Sequence, residues 1–71
     1  MKEKYKFIHF KETGQVWTIH NNRTGNILGY VEFYEPWKQW VSHLEGSAIF
    51  SSECHSHIAA FMDQLKEAPD A

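Results

Sequence analysis

The stretch that decides the fold is Ile27-Leu28-Gly29-Tyr30-Val31-Glu32-Phe33-Tyr34. In an extended chain, one side of it carries Ile27, Gly29, Val31 and Phe33, and the other side carries Leu28, Tyr30, Glu32 and Tyr34. Such alternation over eight residues is typical of a β-strand with one face on a core. We therefore expect a strand over residues 27–34 with its uncharged side inward. Gly29 predicts a close approach by Trp17 or by a helix, or else a β-bulge.

Three other stretches before residue 45 are rich in aromatic and β-branched residues and predict strands: residues 5–10, 16–20 and 37–43. The connections carry turn residues, among them Gly14, Gly25 and Pro36. Short connections favour an antiparallel meander, in which each strand pairs with the next. Residues 48–50 would add a short fifth strand.

The chain after Phe50 changes its period. Apolar residues follow one another at helical spacing: Cys54, Ile58, Phe61, Met62 and Leu65. Ser51 or Ser52 can cap the first turn, and Lys66 suits the last turn. We expect a helix over residues 52–67, and hence a two-layer α+β fold: a four-stranded, or with residues 48–50 five-stranded, antiparallel meander with one C-terminal helix packed on one face.

Alternation also assigns side chains to the two faces of the sheet. The expected core consists of Trp17, Ile19, Ile27, Val31, Phe33, Val41, Ile58, Phe61, Met62 and Leu65. The other face then gathers three rings and several polar groups: Tyr30, Tyr34 and Trp40 with Thr18, His20, Glu32 and Lys38. This aromatic-rich face is the candidate interaction site, for which we select Tyr30, Tyr34, Lys38, Trp40, Thr18 and His20.

Length and composition predict one domain over residues 1–71, with an ordered core of about residues 4–67. A 71-residue chain has room for a single small core, which self-association often supplements. Cys54 is alone, so no disulfide can form within the chain. With 42% apolar and 15% aromatic residues, the composition is far from that of a disordered chain.

The net charge of −2 is divided unevenly along the chain. Residues 1–31 carry a charge of +3 and residues 32–71 a charge of −5. A polyanion would meet no overall attraction. The first residues lack the apolar stretch of a signal peptide, and no run is long enough to span a membrane. Together with the free thiol, this predicts a cytoplasmic protein with no membrane partner.

No pattern in the sequence indicates catalysis or a cofactor. Five histidines invite a metal interpretation, but His55 and His57 point about 200° apart on a helix. Cys54 and His57 would need further ligands to complete a zinc site. Cys54 also lacks an identifiable base that would activate its thiol. We therefore expect a protein that is not an enzyme and binds no metal.

The spacing of its aromatic residues makes the chain similar to a known group of proteins. The motifs that carry it are Trp17-x-Ile19-x-Asn21, Leu28-Gly29-x-Val31-x-Phe33-Tyr34 and Trp37-Lys38-x-Trp40, followed by Phe50, Cys54, Ile58, Phe61 and Leu65. Together they resemble a group of short bacterial and phage or prophage proteins. The resemblance implies such an origin and brings no catalytic residues. In layout alone, four strands and a helix also resemble small dimeric single-stranded DNA-binding domains of transcriptional coactivators.

Three hypotheses remain for the aromatic-rich face. The first is a protein-interaction module, above all a homodimer, that uses this face or an exposed edge strand. The second is single-stranded nucleic-acid binding, with bases stacked on the rings and the backbone near Lys38 and the N-terminal lysines. The third is simple cross-strand packing. The negative net charge favours protein over nucleic acid as the partner.

Overall fold

The computed structural model of the protein describes residues 1–67, which form four strands and one long helix. The elements are β1 (Ile8–Thr13), β2 (Val16–Asn21), β3 (Ile27–Tyr34), β4 (Gln39–Leu44) and α1 (Ser52–Glu67). The strands make one antiparallel sheet in the order β1-β2-β3-β4. This is the expected α+β meander with a C-terminal helix packed on the sheet. The predicted end of order beyond residue 67 lies outside the described residues.

The connections between strands are tight. β1 and β2 flank a two-residue turn in which Gly14 has a φ of 66°. A short 3-10 turn, Glu35–Trp37, follows β3, and Lys38 then adopts a left-handed conformation with a φ of 54°. The fourth strand consequently begins at Gln39 and not at Trp37. Within residues 1–67, the segment 48–50 is not a strand, so the five-stranded alternative is wrong.

The first strand begins three residues later than predicted, because the chain before it folds back along its outer edge. The Tyr5 N–H donates to the Ile8 carbonyl, and the Phe10 N–H donates to the Glu3 carbonyl, both at 2.8 Å. Lys4 forms an isolated bridge with His9. The N-terminal segment thereby occupies much of the free edge of β1.

The core lies between the sheet and α1. Eight hydrophobic residues are buried there: Tyr5, Ile8, Phe10, Ile19, Val31, Ile58, Phe61 and Leu65. Phe61 is at its centre, with its ring stacked on Phe10 at 3.9 Å between centroids and against the edge of Trp17 at 5.0 Å. Ser51 caps the helix, because its Oγ accepts the Cys54 N–H at 3.2 Å. The predicted core omitted Tyr5, Ile8 and Phe10; Ile8 and Phe10 share the inner side of β1, and Tyr5 belongs to the segment that folds back along it.

A β-bulge in β3 overturns the prediction that Ile27 is a core residue. Ile19 pairs with Gly29 but His20 pairs with Ile27, so Leu28 is an extra residue on β3. The bulge turns Leu28 to the core and leaves Ile27 56% exposed. Of the two predicted roles of Gly29, the bulge is confirmed. The close approach is made by the backbone of β4, since a Cβ on Gly29 would lie 2.2 Å from the His43 carbonyl oxygen.

Candidate interaction surface

The sheet face opposite α1, called the open face below, holds four of the six predicted site residues. Thr18 pairs with Tyr30, and His20 pairs with Ile27. Tyr34 lies on the same side of β3 as Tyr30, further along the strand toward the β3–β4 turn. The structure also places His43 here, directly across from Tyr30 with the rings stacked at 4.6 Å. The sequence prediction missed His43 because only the register of β4 shows which side it occupies.

Several polar side chains on the open face contact one another. The Thr18 hydroxyl and His20 Nε2 are 2.7 Å apart, and His43 Nε2 lies 2.6 Å from a carboxylate oxygen of Glu32. His9 stacks on His20 with 5.1 Å between ring centroids. These contacts join neighbouring side chains of the open face to one another.

The tautomer of His9 follows from its neighbour Asn22. The Asn22 amide nitrogen donates to the Tyr5 carbonyl at 2.7 Å, so its oxygen faces His9 Nδ1, also at 2.7 Å. An amide oxygen can only accept, and His9 Nδ1 therefore carries the proton. The two bonds of Asn22 thus join the β2–β3 turn to β1 and to the N-terminal segment.

Lys38 lies in the turn before β4 and not on the open face. Its left-handed backbone lies just before β4, and its ammonium pairs with the exposed carboxylate of Glu35 three residues earlier. The positive charge expected beside the rings is therefore accompanied by a negative one.

The assignment of Trp40 to the open face is wrong, and so is the assignment of Val41 to the core. Trp40 pairs with Phe33 and packs against the core on the helix side, whereas Val41 pairs with Glu32 on the open face. The four-residue connection between Tyr34 and Gln39 determines the register of β4, and this register reverses the expected sides. Phe33 lies on the helix side as predicted, yet remains largely exposed beside Trp40.

Exposed rings gather at the end of the sheet near the β3–β4 turn. Trp37 is 65% exposed and meets Tyr34 edge to face, with 5.2 Å between centroids. A shallow groove of about 300 Å³ lies beside them, lined by Tyr34, Trp37, Val41, Ser42 and His43. Trp37 is exposed because it belongs to the turn and not to β4.

The edge of β4 that faces away from β3 carries backbone groups that do not pair with β3. The Glu45 N–H donates to the Leu28 carbonyl at 2.8 Å, which identifies the hydrogen-bonded pairs of the β3–β4 ladder. Since such pairs alternate along an antiparallel ladder, the backbone groups of Trp40, Ser42 and Leu44 point away from β3. Among residues 1–67, no hydrogen bond reaches these groups. We call them the β4 edge.

The side chains of β4 do nothing to protect this edge. Its sequence, Gln39-Trp40-Val41-Ser42-His43-Leu44, contains no lysine, arginine, carboxylate or proline. Exposed edge strands ordinarily carry charges or proline, or are covered, because an open edge pairs readily with other strands. β1 follows this rule through its N-terminal cover and through Lys11 and Glu12. β4 departs from it.

The helix side holds no cluster of metal-ligating side chains within the described residues. No group of three or more His, Cys, Asp and Glu side chains there could hold a metal ion. Cys54 contacts the Ser51 hydroxyl, and His57 packs on the ring of Tyr5 with 5.1 Å between centroids. Burial raises the pKa of the Tyr5 phenol, and the Gln64 amide donates to its oxygen at 2.8 Å. These contacts serve packing.

Comparisons of the chain with protein-family models, with curated proteins and with solved structures give no match. Within residues 1–67, α1 is too short and too polar to cross a bilayer.

Proposed function

We propose that this chain is a small non-catalytic interaction domain that forms a homodimer by pairing the β4 edge of two copies. The observation that carries the proposal is the unprotected edge itself. Within residues 1–67, the backbone donors and acceptors of Trp40, Ser42 and Leu44 are unpaired, on a strand without charged side chains. A second copy of an antiparallel edge strand supplies the complementary groups under a two-fold axis.

The energetics of a small domain support this choice. Only eight hydrophobic residues are buried in the described chain, which makes the core small. Each main-chain hydrogen bond added between strands contributes about 0.5–1.5 kcal/mol net. Exposed apolar groups flank the edge, among them Leu44 at 37% exposure and Trp37. Their burial would add about 25 cal/mol for each Å² removed from water.

The open face has a secondary role in this proposal. Tyr30 and Tyr34 remain partly exposed, and they could extend a contact that starts at β4. Its polar groups, however, already bond within the chain, as Thr18 does with His20. We therefore assign the primary contact to the edge and not to the ring-bearing face.

Single-stranded nucleic-acid binding has less support. That hypothesis needed Trp40 as a stacking platform and Lys38 as a free cation. Trp40 packs toward the core, and Lys38 pairs with Glu35. Titration of a fluorescent oligonucleotide at low salt should therefore leave its anisotropy unchanged up to high micromolar protein.

Sedimentation velocity over a range of protein concentrations tests the proposal. The wild-type chain should show a species of twice the monomer mass that dissociates on dilution. Ser42→Pro removes an outward N–H without removing a bond to β3, since Pro is tolerated on an edge whose N–H faces solvent. The Ser42→Pro variant should be monomeric and the matched Ser42→Ala variant should dimerise like the wild type.

Circular dichroism spectra and melting curves of both variants establish that they are folded before they are compared. Leu44→Lys provides a second monomerising change, because it places a charge on the edge without altering the backbone. A wild-type chain that is monomeric at every concentration would contradict the proposal, and so would a Ser42→Pro variant that is folded and still dimeric.

A further inference from the structure

We infer that the two-fold axis of this dimer passes through Ser42, so that Trp40 of one copy lies directly across from Leu44 of the partner subunit. This inference rests on the proposed function and specifies its geometry. The dimer then has one continuous antiparallel sheet, to which each copy contributes its 4-stranded sheet.

Backbone complementarity selects this register. In an antiparallel pair, hydrogen bonds form where outward-pointing residues of the two strands face each other. With the axis at Ser42, all three outward residues have partners in β4, which gives about six main-chain hydrogen bonds. With the axis at Val41 or His43, one outward residue would face Lys38 or Gly46, which lie outside β4. Those registers keep only about four bonds.

Side chains on the helix side fit the same register. A groove of about 350 Å³ lies between β4 and α1, lined by Gln39, Trp40, Ala59, Met62, Asp63 and Lys66. The partner's Leu44 would approach Trp40 at the mouth of this groove. Leu44 is 37% exposed and Trp40 is half-buried, so the contact covers apolar surface of both. The partner thus contributes a side chain to a groove that one copy leaves open.

Charges are compatible with the axis at Ser42. On the open face, Val41 lies across from the partner's His43, and Gln39 lies across from the partner's Glu45. No two like charges face each other along the seam, although the chain has a net charge of −2. Glu32 is one strand further in and is already paired with His43.

Cysteine cross-linking measures the register directly. In a Cys54→Ser background, Ser42→Cys places two thiols on the axis with Cα atoms about 5.5 Å apart, which suits a disulfide. Val41→Cys and His43→Cys are the matched controls, because each cysteine would lie two residues along the strand from the equivalent cysteine of the partner subunit. Their Cα atoms would be about 8 Å apart, beyond disulfide reach.

Mild oxidation should convert Ser42→Cys to a covalent dimer at least about tenfold faster than either control. A mixture of the Val41→Cys and His43→Cys chains should cross-link with each other, since these positions face across the seam. Fastest cross-linking by Val41→Cys or by His43→Cys alone would overturn the register. That result would leave the proposed dimer intact, whereas a wild-type chain monomeric by sedimentation would overturn both.

Loss of the Leu44 side chain gives an independent measure. Leu44→Ala should raise the dimer dissociation constant by at least about tenfold, because it removes the group placed against the partner's Trp40. Ile49→Ala is the matched control, since Ile49 is 94% exposed, equally apolar and outside β4. Equal dissociation constants for the two variants would contradict the placement of Leu44.

Discussion

Replacement of Gly29 by alanine tests the geometry that joins β3 to β4. The residue follows the bulge, with a φ of 156° that side-chain-bearing residues rarely adopt. An added Cβ would lie 2.2 Å from the His43 carbonyl oxygen and 3.0 Å from the Leu44 Cα. Both obstacles are backbone atoms of β4, so the clash cannot be relieved by rotating a side chain.

The expected cost has two parts. An unfavourable backbone conformation costs about 1–3 kcal/mol. Displacement of β4 would weaken the two hydrogen bonds of the Tyr30–His43 pair, each worth about 1 kcal/mol. We therefore expect Gly29→Ala to lower the free energy of unfolding by about 3–4 kcal/mol. For a domain of this size the melting temperature should fall by at least about 12 °C.

Substitutions of two other glycines separate the cost of the backbone conformation from the cost of the clash with β4 in the same melting experiment. Gly46→Ala meets no atom within 4 Å and has no left-handed backbone, so its melting temperature should match the wild type. Gly14→Ala also has open space but a φ of 66°, and it should lose about 1 kcal/mol. If Gly29→Ala melts within about 4 °C of Gly46→Ala, the described approach of β4 to β3 is wrong.

Three further variants address the core and the two faces. Phe61→Ala should lower the free energy of unfolding in urea by about 3–5 kcal/mol, because the ring is fully buried, and a loss under 1 kcal/mol would contradict its central place. Trp40→Ala should lower the melting temperature more than Tyr30→Ala does, since Trp40 packs on the core. A larger loss for Tyr30→Ala would mean that Trp40 lies on the open face instead. Burial raises the pKa of Tyr5, so the folded state holds this proton longer than the unfolded state. Stability should therefore fall as the pH rises above about 10, and Tyr5→Phe should reduce that fall in urea titrations at pH 9 and 11.

Periodicity predicted the elements well because they depend on local chemistry. The helix spans Ser52–Glu67 as expected, since its apolar spacing, its serine cap and its terminal charges all agree. The bounds of β3 were also predicted, and the bulge was one of two roles foreseen for Gly29. The order of the sheet followed from the shortness of the connections.

The faces were predicted less well because they depend on register. Alternation shows which residues share a side, but pairing decides which side meets the helix. At Trp40 and Val41 the side depends on a turn that uses a left-handed lysine, and lysine gives no signal for that conformation. At Ile27 and Leu28 it depends on the bulge. Likewise, the covered edge of β1 follows from the path of residues 3–5, which no local pattern reveals.

Amide hydrogen exchange followed by NMR at two protein concentrations tests the pairing of the β4 edge most directly. The N–H groups of Val41 and His43 donate to β3, so they should be protected in monomer and dimer alike. Those of Trp40, Ser42 and Leu44 point outward, and their protection should increase with concentration as the partner strand binds. Fast exchange at these three amides at every concentration, beside protected Val41 and His43, would contradict the account.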